Sequence, residues 1–391
     1  MKTSSSIRNL LDVLIVSCKL GITSFGGPIA HLGYFHNEYV QKRKWMDERS
    51  YADLVALCQF LPGPASSQVG IGIGVMRAGL LGGVIAWLGF TLPSAIALVL
   101  FALLMTGFDV SNAGWIHGLK IVAVAIVAQA VIGMGRKLTP DFKRMSLALA
   151  AAALMLVWQT AFSQIAVIIG AGLIGWWAYR GKVEQQPSKL VVSIKPKFAG
   201  FCLVIFFSLL IFLPLLSNLF DLKWLSLFDQ FYRSGSLVFG GGHVVLPLLE
   251  HEMLNAGWMS KESFLAGYGA TQAVPGPLFT FAAYLGTVAM GVVGGIVAII
   301  AIFLPAFLLV IGVLPFWNTL RQSPHIQGAL KGINAAVVGI LLAALYDPLW
   351  TTAITTPSAF GLAVLLFIVL VLLKWAPWIV VVLAATGGMF I

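Results

Sequence analysis

Charge is scarce in this sequence: Asp, Glu, Lys and Arg make up 10% of its 391 residues, against about a quarter in ordinary globular domains. So few ionised groups cannot cover a water-soluble surface, which removes the usual soluble enzymes and binding modules. Cysteine is scarcer still. Cys18, Cys58 and Cys202 stand far apart among apolar neighbours, with no CxxC spacing; a disulfide framework and a thiolate metal site are excluded, and packed thiols remain. His31, His36, His117, His251 and His325 show no HExxH or comparable ligand spacing. There is also no Asp-rich pair for magnesium and no Ser/His arrangement, so neither an enzyme nor a metal or other cofactor is expected. "GIGIG" at 70–74 lies in an apolar helix with no strand before it and fits helix packing, not a nucleotide loop.

What is abundant is apolar sequence, 59% of the chain, arranged in Leu-, Ile-, Val-, Ala- and Phe-rich blocks of about twenty residues, the length of a membrane-crossing helix. The expected fold class is an all-α polytopic membrane protein, since a barrel would show short alternating segments instead. The first block runs from Arg8 straight into a glycine motif, so no cleavable signal is expected. The net charge of +10 sits in a few short loops and reads as membrane orientation, not nucleic-acid binding.

A module occurs twice. "FGGP" at 25–28 pairs with "FGGG" at 239–242, "WMDERSY" from Trp45 with "WMSKESF" from Trp258, and "CQFLPGP" at 58–64 with "TQAVPGP" at 271–277. Farther on, "LLGGVIA" from Leu80 matches "VVGGIVA" from Val292, "LPS" matches "LPA", and Lys120 falls opposite Lys331. The offset drifts only from 214 to 211, so the register survives the whole stretch.

The loops 42–49, 136–144 and 180–197 hold more than half of the 24 Lys and Arg and belong in the cytoplasm. Their second-copy counterparts are nearly free of cations, so the copies should be inverted. The unpaired apolar segment 198–217 supplies the extra crossing. The expected organisation is therefore a first transport repeat at 1–180, a basic linker at 181–197, an inverting helix at 198–217 and a second, inverted repeat at 218–391. About nine full crossings and four broken or re-entrant pieces are expected.

A helix broken inside lipid leaves backbone groups unpaired at several kcal/mol each, so the breaks should line a cavity near the midplane. A half-helix starting at Gly63 or Gly276 would aim amides and a positive dipole end at an anion. Gly26, Gly27, Gly240 and Gly241 would let that anion approach the backbone. Gln59, Gln272, Ser66, Ser67 and Thr280 add side-chain donors. Intramembrane cations Lys19, Arg233, Lys120 and Lys331, matched across the repeat, complete the expected anion site. Glu38, Asp53, His243, Glu250 and Glu252 are the candidates for carrying protons, with Asp12 behind them. Each of these charged groups can equally be a helix-end or snorkelling residue.

The doubled FGGP, WM and PGP pattern, the helices after it and the overall length resemble the long-chain chromate ion transporter family over nearly the whole chain. That resemblance implies export of chromate, a tetrahedral dianion shaped like sulfate, across the cytoplasmic membrane of a prokaryote. It also implies drive by the proton-motive force and chromate resistance. The residues by themselves indicate only an anion site, and the alternative is a transporter or channel for sulfate or another oxyanion without chromate specificity. Expected partners are the oxyanion, protons and membrane lipid, with a homodimer left open. One departure is "FGGGH" where the first copy has "FGGPI", so the copies need not contribute equally.

Overall fold

The structure, a computed structural model, describes residues 7–107, 113–158, 163–179, 194–220, 222–239, 242–320 and 322–391. Gly240, Gly241 and most of the basic linker lie outside the described residues.

The first copy opens with α1 (Ile7–Thr23) and α2 (Gly27–Phe35), separated by a break at 24–26. Gly26 stands in the left-handed region and Pro28 sits in the first turn of α2, where its missing N–H costs nothing. After a π-helical turn, α3 (Glu48–Phe60) starts at Asp47, whose carboxylate accepts from the amides of Arg49 and Ser50. The Pro-Gly-Pro break leads to α4 (Ala65–Gly107), bent at Gly79. Then come α5 (Gly114–Leu138) and the hairpin of α6 (Phe142–Val157) and α7 (Ser163–Ala178). α8 (Pro196–Leu219) links the copies.

The second copy runs α9 (Lys223–Leu237), α10 (Val245–Asn255), α11 (Lys261–Thr271) and α12 (Phe281–Val313). The short α13 (Trp317–Leu320) precedes α14 (Pro324–Ala344), and α15 (Thr351–Ala353), α16 (Pro357–Val371) and α17 (Pro377–Gly388) close the chain. Local devices repeat with the elements. Ser260 caps α11 as Asp47 caps α3, and Gly291 bends α12 at φ 68° where Gly79 bends α4 at φ 72°. Gly21 leaves room for α1 to lie on the Gly89–Phe90 backbone, and Gly235 does the same for α9 at Ile302.

The copies interlock. The α6–α7 hairpin of the first packs on α14 of the second, while α16 and α17 of the second pack on α5 of the first, and α4 lies against α12.

Among the described residues, five helices are long and apolar enough to cross a membrane: Ala65–Thr106, Gly114–Leu138, Pro196–Leu219, Leu278–Phe316 and Pro324–Ala353. The four other expected crossings, α6, α7, α16 and α17, have 12 to 16 residues. At 1.5 Å per residue they span about 18–24 Å, less than the ~30 Å of hydrocarbon. Their outer faces, including Leu149, Leu173, Trp177 and Leu365, are exposed and apolar, as a lipid-facing layer requires.

Candidate functional site

The interrupted segments of the two copies meet. The Gly63 amide, in the first Pro-Gly-Pro, donates to the Val238 carbonyl at the second glycine break at 2.7 Å, and the Gly276 amide donates to the Ser24 carbonyl at the first break at 2.9 Å. The four residues are matched positions of the repeat, so one contact is made twice. Both glycines need positive φ, 112° and 99°, which places their amides across the break at a strain an L-residue resists. This corrects one expectation: those amides are spent on the opposite copy and are not free for an anion.

Beside the Ser24–Gly276 contact is a cavity of about 70 Å³ lined by Gly26, Gly27, Ile126, Gln129, His243, Thr271, Gln272, Val274, Gly276, Leu278 and Pro377. One water needs roughly 10–15 Å³ on this measure, so the space suits a solute of about five heavy atoms. The amino end of α2 abuts it through Gly26 and Gly27. The Gln272 side-chain nitrogen is buried without a protein partner. His243 shares a 2.7 Å hydrogen bond through Nδ1 with the Tyr268 hydroxyl. If that hydroxyl donates, Nε2 keeps its hydrogen and the ring becomes a neutral donor. Among the described lining residues there is no Lys, Arg, Asp or Glu. Electropositive character therefore comes from a helix end and N–H groups, which hold an anion without a fixed countercharge.

The expected cations are elsewhere. Lys19 binds Glu38 at 2.8 Å, and its matched residue Arg233 binds Glu252 at 2.8 Å and Asp229 at 3.0 Å. They form one ion pair repeated, away from the described lining of this cavity. Burial alone would raise the Glu38 carboxyl, but Lys19, Arg43 and Lys42 hold it below the usual carboxylate range. Burial raises Glu252 against the pull of Arg233. Lys331 is exposed, over the Tyr179 ring, and neither it nor Lys120 lines the cavity.

Of the remaining candidates, Gln59 is exposed while its partner Gln272 lines the cavity. Thr280 donates to the Pro277 carbonyl at 2.7 Å and closes its own turn. Ser66 is buried with its hydroxyl 3.3 Å from His31 Nδ1, and Asp53 is half-buried on α3. Gln129 and Thr271 were missed. Thr271 stands inside a quoted motif, but Gln129 has Ile340 at its matched position and so gave no repeat signal.

A second, larger cavity of about 220 Å³ holds Glu250, His251, Asn255, Lys261 and Asp347, facing Ser163 and Gln164. Lys261 and Asp347 pair at 3.5 Å. Burial pushes the Glu250 carboxyl up to about 8, with Lys261 opposing and Asp347 adding to the shift. No group of His, Cys, Asp and Glu among the described residues could hold a metal ion.

A chromate transport protein of Pseudomonas aeruginosa is 26% identical over 354 residues, 87% of this chain and 81% of its own. A probable chromate transport protein of Synechococcus elongatus is 28% identical over 342 residues, 83% and 81%. A chromate transport protein of Cupriavidus metallidurans is 24% identical over 363 residues, 90% and 85%. No solved structure matches this chain. The chromate transporter family profile matches residues 11–176 and again 225–389, one match per copy of the repeat, and this chain belongs to the chromate transporter family.

Proposed function

We propose that the central cavity carries chromate, or a tetrahedral oxyanion of the same shape and charge such as sulfate, outward across the cytoplasmic membrane of a prokaryote, with chromate resistance as the consequence. The observation that carries this is the pair of matched hydrogen bonds that closes the two breaks around a small cavity of neutral donors. Neutral N–H donors suit a dianion that must be released again, since a buried fixed cation would hold it too tightly.

The basic loops set the first copy's 42–49 and 136–144 in the cytoplasm, which puts 250–261 and 347 on the outer side. The larger cavity is then an outer vestibule. At 100 mV, negative inside, expelling a dianion is electrically favourable by ~4.6 kcal/mol, at ~2.3 kcal/mol per charge. Protons entering in exchange add the chemical part of the proton-motive force, with Glu250 as the group that meets them from outside.

Everted membrane vesicles loaded by the chain should accumulate radiolabelled chromate, with sulfate competing. Accumulation equal to that of vesicles lacking the protein would remove the reading. Uptake of sulfate that chromate does not displace would favour the second reading, a general oxyanion transporter, which a cavity with no charged side chain among its described lining residues also fits.

A further inference from the structure

The two copies share a backbone but not an interior. In the first, Ser24 Oγ, His31 Nε2, Ser67 Oγ, Gln68 Oε1 and Thr91 Oγ1 are all buried with no hydrogen-bond partner in the protein, and each of these residues is at most 2% exposed. Contacts join His31, Ser66, Phe90 and the Ser24 backbone; Ser67 and Gln68 follow Ser66 in the chain, and Thr91 follows Phe90. His31 Nδ1 lies 3.3 Å from Ser66 Oγ at the amino end of α4, and its ring meets Phe90, the neighbour of Thr91, edge-on at 5.5 Å. The Ser24 backbone lies beside the same ring, and its carbonyl accepts from Gly276, which lines the central cavity.

With one exception, the second copy fills the same positions with carbon. Val238 stands for Ser24, Val245 for His31, Phe303 for Thr91, Phe279 for Ser66, Thr280 for Ser67 and Phe281 for Gln68. Val238, Val245, Phe303 and Phe281 are fully buried, and the one hydroxyl in that turn is satisfied. The fold therefore does not require polar groups here. Leaving a buried polar atom unpaired costs about 1–3 kcal/mol, so five of them call for a partner that the second copy does without.

Chemistry narrows the partner. Gln68 Oε1 can only accept, which an oxyanion cannot satisfy, whereas serine and threonine hydroxyls both donate and accept. Water satisfies the whole set, and His31 is its only titratable member. Among the described residues, Ser66, Phe90 and the Ser24 carbonyl face the ring, and no charged side chain does; Glu38, farther along, is committed to Lys19, Lys42 and Arg43.

We propose that the polar interior of the first copy is a hydrated proton site in which His31 takes and releases the proton, so that one copy alone carries the coupling ion beside the anion cavity between them. The site itself stands on the orphaned groups; its coupling to an anion rests on the transport reading above. A dianion in the cavity favours a proton on His31, and a proton on His31 favours the anion by the same factor.

The test uses the full chain as wild type, His31→Gln and His31→Val, the last being the residue the second copy tolerates. In proteoliposomes at clamped voltage, a one-unit pH gradient should change wild-type chromate or sulfate flux by up to about tenfold per coupled proton. In both variants the ratio of flux with and without the gradient should fall to about one. A wild-type response retained in either variant, a wild type indifferent to pH, or a response to sodium in place of protons overturns the proposal. Hydrogen–deuterium exchange at C2 of His31 in the purified protein gives a readout free of transport. Exchange with a pH midpoint is expected even if no oxyanion moves; absence of exchange under native conditions overturns the hydrated site and leaves the anion reading untouched.

Discussion

The two copies make the same contacts in different materials, and the differences separate what the fold needs from what function needs. Both pair a cation with a carboxylate nineteen residues on, Lys19 with Glu38 and Arg233 with Glu252. Both cap the next helix, bend the long helix at a glycine and donate one glycine amide across the break. These shared features are scaffold. The unshared ones gather at the centre: Gln272 faces the cavity while Gln59 faces out, His243 stands where the first copy has Ile29, and His31 where the second has Val245. A repeat thus acts as its own control, since whatever one copy does without is not required by the backbone.

Substitutions in matched pairs can break this comparison. The largest effect is expected at the ion pairs. Arg233→Met strands Asp229, 2% exposed, and the half-buried Glu252, and loss of one partner from a buried pair costs about 3–5 kcal/mol. Lys19→Met removes a half-exposed cation and leaves Arg43 on Glu38, for about 1 kcal/mol or less. Thermal unfolding in detergent measures both, and equal losses would deny the asymmetry.

Next come the matched glutamines. Gln272→Leu should weaken sulfate binding by about 1.5–3 kcal/mol, the value of a hydrogen bond to a charged group, while Gln59→Leu leaves it alone; equilibrium binding of radiolabelled sulfate decides. Gly63→Ala and Gly276→Ala should each cost about 1–2 kcal/mol for a left-handed alanine, with Gly276 the worse because a Cβ there meets Ser94 Oγ at 2.9 Å.

Glu250 has no acidic counterpart, since His36 stands at its matched position. Its raised carboxyl contributes stability below the ordinary carboxylate range that is lost as pH rises through about 8. Wild type should therefore lose stability between pH 5 and pH 9, and Glu250→Gln should match it at the lower pH and exceed it at the higher. The smallest effect is expected at Lys331→Gln, because that exposed cation only overlies Tyr179; sulfate flux should stay near wild type.

Much of this was legible in the sequence because the repeat fixes register. The breaks and the caps at Asp47 and Ser260 fall at quoted motifs, and the bends at Gly79 and Gly291 stand one residue before a quoted pair. The ion pairs were legible too, since Glu38 and Glu252 repeat at the same offset as Lys19 and Arg233, yet a buried cation in an apolar segment points to an anion site just as readily as to a carboxylate. Gln129 was beyond reach: a lone amide on an apolar helix reveals nothing until the fold sets it against a cavity. The polar interior around His31 was hidden differently, because serine, threonine and glutamine at the start of a helix read as ordinary first-turn residues until burial leaves them without partners.

The central claim, that the breaks of the two copies enclose a bound oxyanion, is tested most directly by cysteine protection. In protein lacking Cys18, Cys58 and Cys202, Thr271→Cys places a thiol in the cavity wall and Gln59→Cys places one at the matched break's outer face. Sulfate should slow labelling of the first by a small methanethiosulfonate and leave the second unchanged. Labelling of Thr271→Cys that ignores sulfate, or protection of Gln59→Cys instead, would contradict it.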